Sequence, residues 1–166
     1  MGKTLESIVF MSTITEEAPI LIVSPKSVLY NWEAEFQKWL PSLKVVVLSG
    51  EKGERENSIL GMGKEKAAYV TSYDSLRNDL PLYEKKHFSL ILVDEGQYIK
   101  NAYAQKSKAV KELDATTRFA LTGTPIENNL GDLWSLFDFL MPCFLGDYDS
   151  FQIHYVKNEA NAKLRQ

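Results

Sequence analysis

The sequence predicts an α/β fold, a mostly parallel sheet with helices on both faces. Strand-like and helix-like segments alternate about five times, the order that produces crossover connections between parallel strands. The stretch Ser89-Leu90-Ile91-Leu92-Val93 is apolar at four consecutive positions, Leu90 to Val93, instead of alternating, as in a strand covered on both faces. It stops at two adjacent carboxylates, Asp94 and Glu95, followed by Gly96 and Gln97. Burying either acid unpaired is costly, so the pair needs a cation or proton donor beside it. Ligands of open α/β sheets bind at the carboxyl ends of the strands. For a strand-end Asp the simplest cation is Mg²⁺, which takes carboxylate oxygens and keeps substrate phosphates in its shell.

The other half of such a site opens the chain. Gly2-Lys3-Thr4 precedes Leu5, Ile8, Val9 and Met11, apolar at helical spacing, with a break over Glu16 to Pro19. In a phosphate-binding loop the Lys is a point charge for β- and γ-phosphates, the Thr hydroxyl ligates Mg²⁺, and the free amides of the helix face the anion. The full pattern has a further Gly four residues before Gly2, and three residues alone are also what an ordinary helix can begin with.

Ile20 to Val23 is a short apolar strand followed by Ser24 and Pro25. Val28 to Leu40 is an amphipathic helix whose Leu29, Trp32, Phe36, Trp39 and Leu40 share a face and are assigned to the core. Val45 to Leu48 is a strand, and the polar, Gly-punctuated stretch from Gly50 to Gly63 is a surface segment with a helical turn at most. Gly61-Met62-Gly63-Lys64 imitates a phosphate loop, but Glu65 stands where a hydroxyl belongs and would repel the ligand. Ala67 to Tyr73 is a strand ending in hydroxyls, and Asp74 or Ser75 caps the helix after it. Ala102 to Leu113 reads as a Lys-rich helix. A fifth strand spans Thr117 to Pro125 and ends in Thr122 and Thr124. Leu130, Leu133, Trp134, Leu136, Phe137 and Leu140 define a helix capped by Asn128 or Asn129. Beyond Pro142 one more helix packs loosely or frays. Residues 1–142 are therefore assigned to one domain and 143–166 to its helical tail.

Composition narrows the class. With 45% apolar and 25% charged residues the chain is long enough for one core. A net charge of −3 decides nothing about nucleic acid, because a basic groove can sit on a mildly acidic protein. Cys143 is the single cysteine, and with only His87 and His154 no zinc cluster is available. No apolar run is long enough to span a bilayer, and no leader opens the chain, so a soluble intracellular protein without a membrane partner is expected.

Phosphoryl transfer to water is the chemistry this set supports, since it needs charge neutralised on the γ-phosphate and a water held in line. Lys3, Thr4 and Mg²⁺ held through Asp94 do the first; Glu95 polarises the water, and Gln97 senses the γ-phosphate.

At this point the residues resemble a known family. Gly2-Lys3-Thr4, Ile22-Val23-Ser24-Pro25 with Asn31-Trp32-Glu33 and Phe36, Thr71-Ser72-Tyr73, Val93-Asp94-Glu95-Gly96-Gln97 with Ile99-Lys100-Asn101, and Leu121 to Asn129 are similar to the ordered motifs of the Swi/Snf-type helicase-like ATPases of superfamily two. The similarity continues through Leu133-Trp134-Ser135-Leu136 and Phe139-Leu140 to Phe144-Leu145-Gly146. The resemblance implies the RecA-like first lobe of a two-lobed P-loop NTPase that hydrolyses ATP on double-stranded DNA and translocates along it, remodelling nucleosomes or other nucleoproteins. Lys3 and Thr4 would match the phosphate and Mg²⁺ residues, Asp94 and Glu95 the metal-binding and water-activating acids. Thr122 and Thr124 would link nucleotide state to DNA contact. Ser24, Pro25, Lys26, Thr71, Ser72 and Tyr73 would lie along the DNA groove, meeting phosphates without reading sequence. Gly96 stands where the family usually has Ala, a tolerated exchange of small residues.

The resemblance also implies that the sheet's first nucleotide strand and the second lobe with its arginine finger lie outside this sequence. Such a finger contributes on the order of 10³–10⁵ in rate. The chain alone is therefore expected to hydrolyse ATP negligibly, and an open sheet edge to favour self-association. Location follows the source, nucleoid in a bacterium and nucleus in a eukaryote. The rival readings are another P-loop NTPase, such as a kinase, which has no reason to carry Leu121 to Asn129, and a degenerate lobe that serves as a docking module.

Overall fold

The structure, a computed structural model, describes residues 2–123 and 130–157. Its centre is a five-stranded, wholly parallel sheet of β1 (Ile20–Ser24), β2 (Val45–Leu48), β3 (Ala68–Ser72), β4 (His87–Val93) and β5 (Asp114–Ala120), in the order β2-β3-β1-β4-β5. β1 is central and fully buried, as its unbroken apolar run requires. Its side chains alternate between two cores: Leu21 and Val23 on one face, Ile20 and Ile22 on the other.

Helices α1 (Gly2–Thr13) and α2 (Leu29–Trp39) cover the second face with Ile8, Met11, Leu29, Trp32 and Phe36. The first face is covered by α3 (Lys52–Leu60), α4 (Tyr73–Asp79), α5 (Gln105–Lys111) and α6 (Leu130–Leu140), through Ile59, Tyr73, Leu76, Val110 and Phe139. Beyond α6, Trp134 donates its indole N–H to the Gly146 carbonyl at 3.1 Å, and Phe151 of α7 (Tyr148–Phe151) is buried. A π-helical stretch, Gln152–Lys157, follows.

Several expectations are corrected. The segment after Gly50 holds a nine-residue helix, α3, where a single turn was expected. Its start is fixed by a capping box between Glu51 and Glu54, and Ile59 anchors it in the core. Ser72, not Asp74 or Ser75, caps α4, its Oγ accepting from the Ser75 amide at 3.1 Å. β5 begins and ends earlier than expected, and α5 is shorter. Trp39 is 47% exposed instead of core, bonded to Glu35 and lying under the Lys38 ammonium. Val9 is exposed as well. The Asn128 or Asn129 cap lies outside the described residues. Among the described residues β5 pairs only with β4, and Phe119 near its end stacks on Phe10 of α1, ring centroids 5.5 Å apart.

Candidate functional site

The acid pair stands at the carboxyl rim because β4 runs into it. The Asp94 amide still donates to the Val23 carbonyl at 2.8 Å, prolonging the β1–β4 ladder by one bond. The chain then kinks. Glu95 takes a left-handed backbone (φ 54°), a conformation disfavoured for a residue with a Cβ by roughly 1–2 kcal/mol. Gly96 returns the chain to the sheet, its amide donating to the Leu121 carbonyl at 2.6 Å. A Cβ on Gly96 would press on that oxygen at 3.3 Å, so an alanine here requires the β5 exit to yield by a few tenths of an ångström.

Lys3 comes to the same rim from the first turn of α1. Its ammonium donates to the Thr122 carbonyl at 2.7 Å. Next to it, a methyl added at Gly123 would lie 3.7 Å from Glu95 Oε2 and 3.8 Å from Lys3 Nζ. The lysine, the glutamate and the turn after β5 therefore face one point. Gln97 joins them: its amide N–H donates to Glu95 Oε2, and its carbonyl oxygen accepts from the Thr122 hydroxyl at 3.4 Å. Its nitrogen is thus engaged with the neighbouring acid. On the other side of Asp94, Gly2, Thr4, Trp32 and Asp94 line a cleft of about 600 Å³.

Asp94 is half-buried. Desolvation raises its carboxyl above the ordinary value, and two hydrogen bonds pull the other way: Trp32 Nε1 to Oδ2 at 3.0 Å, and the Glu95 amide to Oδ1 at 2.9 Å. The Glu95 charge adds to the rise and the Lys3 charge opposes it. From the start of α4, Tyr73 donates its phenol to the Asp94 carbonyl at 2.6 Å. Burial first, then the charges of Asp94 and Glu95, raises that phenol far above its usual value, so it stays protonated and a donor at neutral pH.

Of the residues assigned to a DNA groove, Lys26 is exposed, in a 3₁₀ turn (Lys26–Val28) ahead of α2, and Pro25 is half-buried. Ser24, Thr71, Ser72 and Tyr73 lie at the same rim with buried side chains. The Ser72 hydroxyl caps α4 and the Tyr73 hydroxyl holds Asp94. Both hydroxyls are thus engaged within the fold. Thr124 lies outside the described residues. Trp32 was missed as a site residue because its helical spacing reads as core. The available signal was its N–H, which a buried indole must satisfy somewhere.

Among the described residues no three His, Cys, Asp or Glu side chains cluster as a metal cage, and no helix is long and apolar enough to cross a membrane. Asp94 and Thr4, which line one cleft, are an oxygen-only donor set, suited to Mg²⁺ that takes its remaining ligands from phosphates and water.

Comparison with known proteins gives the family. The SNF2-related domain matches residues 1–165. The chain is 41% identical to TATA-binding protein-associated factor MOT1 of Saccharomyces cerevisiae, over 95% of this chain and 9% of that protein. It is 37% identical to an uncharacterized ATP-dependent helicase of Mycoplasma genitalium, over 100% of this chain and 16% of that protein. The SWI2/SNF2 ATPase core of Sulfolobus solfataricus, solved in complex with dsDNA, superposes with a TM-score of 0.84 at 37% identity, covering 96% of this chain and 33% of the larger one. The chain thus spans a minor part of the length of the relatives it matches. It belongs to the SNF2-related, Swi/Snf-type family of helicase-like ATPases and has the RecA-like fold of that family's ATPase core.

Proposed function

We propose that this chain forms the ATP-binding first lobe of a motor that hydrolyses ATP and translocates along duplex DNA, remodelling nucleosomes or other nucleoproteins inside the cell. The observation that carries the reading is the meeting of Lys3, Glu95 and the Gly123 turn at one point of the carboxyl rim. Thr4 and Asp94, on one cleft, would hold Mg²⁺. When bound, that ion neutralises charge on the β- and γ-phosphates.

Lys3 adds a point charge there, and its flexible stem lets the ammonium reach phosphate oxygens from its place on the Thr122 carbonyl. Glu95 orients the attacking water and takes its proton. Gln97 fixes the orientation of that carboxylate. Thr122 ties the lysine to the glutamine and, with Thr124, links nucleotide state to DNA. Lys26 meets duplex phosphates, a contact that positions without specifying sequence. A second RecA-like lobe supplies the remaining charge.

The test is ATP turnover by the full-length protein with and without duplex DNA, for the natural sequence and for Glu95→Gln. DNA should stimulate turnover, and Glu95→Gln should lower it by on the order of 10²–10⁴ while ATP is still bound. Turnover indifferent to DNA, or a Glu95→Gln variant as fast as the natural protein, refutes the reading.

A further inference from the structure

Asp94 is held by two aromatic donors, and each comes from a different rim segment. Trp32 lies on α2, the helix that continues directly from the exposed Lys26 turn, and its indole N–H reaches the Asp94 carboxylate at 3.0 Å. Tyr73 is the first residue of α4, immediately after Ser72, and its hydroxyl reaches the Asp94 carbonyl at 2.6 Å. Both rings are buried, so neither can swing to another partner without moving its helix.

Tyr73 is clamped further. Tyr98, from the turn after the acid pair, stacks on it with centroids 5.1 Å apart and planes 9° apart. Lys106 of α5 lies 5.7 Å from the centre of the Tyr98 ring and 3.1 Å from an Asp74 oxygen. A buried indole and a buried phenol each need an acceptor, and packing alone does not require them to share one. That both aim their single donor at one residue, one at its side chain and the other at its main chain, is what packing leaves unexplained.

Resting on the reading of the rim as a nucleotide and duplex-DNA site, we propose that Trp32 and Tyr73 are positioning residues that transmit phosphate-backbone engagement at the two rim segments to the Asp94 carboxylate, and so set how tightly Mg²⁺-nucleotide binds. A small displacement of the Lys26 turn moves α2 as a rigid body and carries Trp32 across Oδ2. A displacement at Ser72 moves Tyr73 and with it the Asp94 carbonyl. Because linkage is reciprocal, Mg²⁺-nucleotide must then raise affinity for duplex DNA by the same factor.

The experiment measures affinity for a non-hydrolysable ATP analogue in the full-length protein, with and without a duplex oligonucleotide and with and without Mg²⁺. The variants are Tyr73→Phe, which removes one hydroxyl at constant ring volume, and Trp32→Phe. The control is Tyr30→Phe, on the exposed side of α2 where the hydroxyl meets only Ser49 at 2.8 Å. In the natural protein, DNA should tighten Mg²⁺-analogue binding by on the order of 5- to 150-fold. In Tyr73→Phe and Trp32→Phe that ratio should fall roughly tenfold or to unity. Affinity for the analogue without Mg²⁺, affinity for DNA alone, and the Tyr30→Phe ratio should all stay unchanged.

A ratio retained in Tyr73→Phe overturns the inference even if Trp32→Phe fails to fold. Equal weakening with and without Mg²⁺ also overturns it, since that is what looser packing would give. Absence of linkage between DNA and nucleotide binding in the natural protein removes the inference, and the functional reading falls with it only if turnover is also indifferent to DNA; linkage that survives both variants leaves that reading standing and removes only the proposed route.

Discussion

Replacing Arg55 by methionine perturbs a contact that lies away from the rim and still bears on it. Asp79, at the end of α4, has a side chain 1% exposed, and both its oxygens accept from Arg55 of α3, at 2.7 and 3.1 Å. The third guanidinium nitrogen donates to the Gly50 carbonyl at 2.8 Å. Methionine fills much of the volume and takes away every donor, leaving a carboxylate enclosed. Hydrogen bonds to a charged group contribute about 1.5–3 kcal/mol, and stranding one member of a buried pair costs about 3–5 kcal/mol. The expected loss is therefore about 3–4 kcal/mol, large against a typical total of 5–15. Asp79→Leu should cost less, since Arg55 is 13% exposed, keeps Gly50 and can turn to water. The double variant should be less damaged than the two losses summed, by about 1–3 kcal/mol. Urea unfolding followed by far-ultraviolet dichroism reads this as a shift in midpoint at constant slope. A loss below 1 kcal/mol for Arg55→Met, or strict additivity, refutes the reasoning. Because α4 carries Tyr73 at its other end, hydrogen exchange in that helix should quicken before exchange in β1 does.

Asparagine at 94 leaves one of the two donors unmet, and the melting temperature of Asp94→Asn relative to the natural protein should be higher at pH 7 than near pH 4. Burial lifts the folded-state value of this carboxyl, so its contribution is fully present below the unfolded value and lost as pH rises through the folded one; melting curves at pH 7 and near pH 4 should show the variant losing ground to the natural protein on acidification. His87 is raised above 6.5, first by Asp114 and then by Glu16, so its stabilisation is present below that value and fades as pH rises through the folded one. His87→Gln should flatten the decline in stability between about pH 6 and 8, and an unchanged slope would count against the pairing. Glu95→Gly should abolish hydrolysis yet increase unfolding free energy by up to about 1 kcal/mol, because glycine adopts the left-handed backbone without strain; a destabilised variant would show that the Gln97 contact outweighs the strain.

The sheet was legible in the sequence because burial on both faces leaves little choice: Ile20 to Val23 in β1 and Leu90 to Val93 in β4 have no polar residue to turn outward. The acid pair was legible for the same reason, as a break that demanded an explanation. What stayed hidden was set by tertiary contact. Trp32 has the spacing of a core residue and is one, and only the packing of α2 on the sheet, over β2 and β3, brings its N–H to Asp94. The hydroxyls of Ser72 and Tyr73 read as surface groups at a strand end, yet one caps a helix and the other supports the acid. Gly53 within it, and Gly50, Gly61 and Gly63 around it, obscured α3, whose capping box shows itself only once Glu51 and Glu54 are seen to close on each other.

The strand order has a kinetic corollary. β1 lies between β3 and β4, both far along the chain, and β4 lies beside β5, which is later still. The loops that meet at the rim thus become neighbours only after several long-range pairings have closed, the slow kind of assembly. An intermediate holding α1 and α2 alone would have Lys3 but no acids to face it. Affinity for nucleotide should accordingly emerge late in refolding, and a ligand of this rim should act as a brake on global unfolding more than on local fraying.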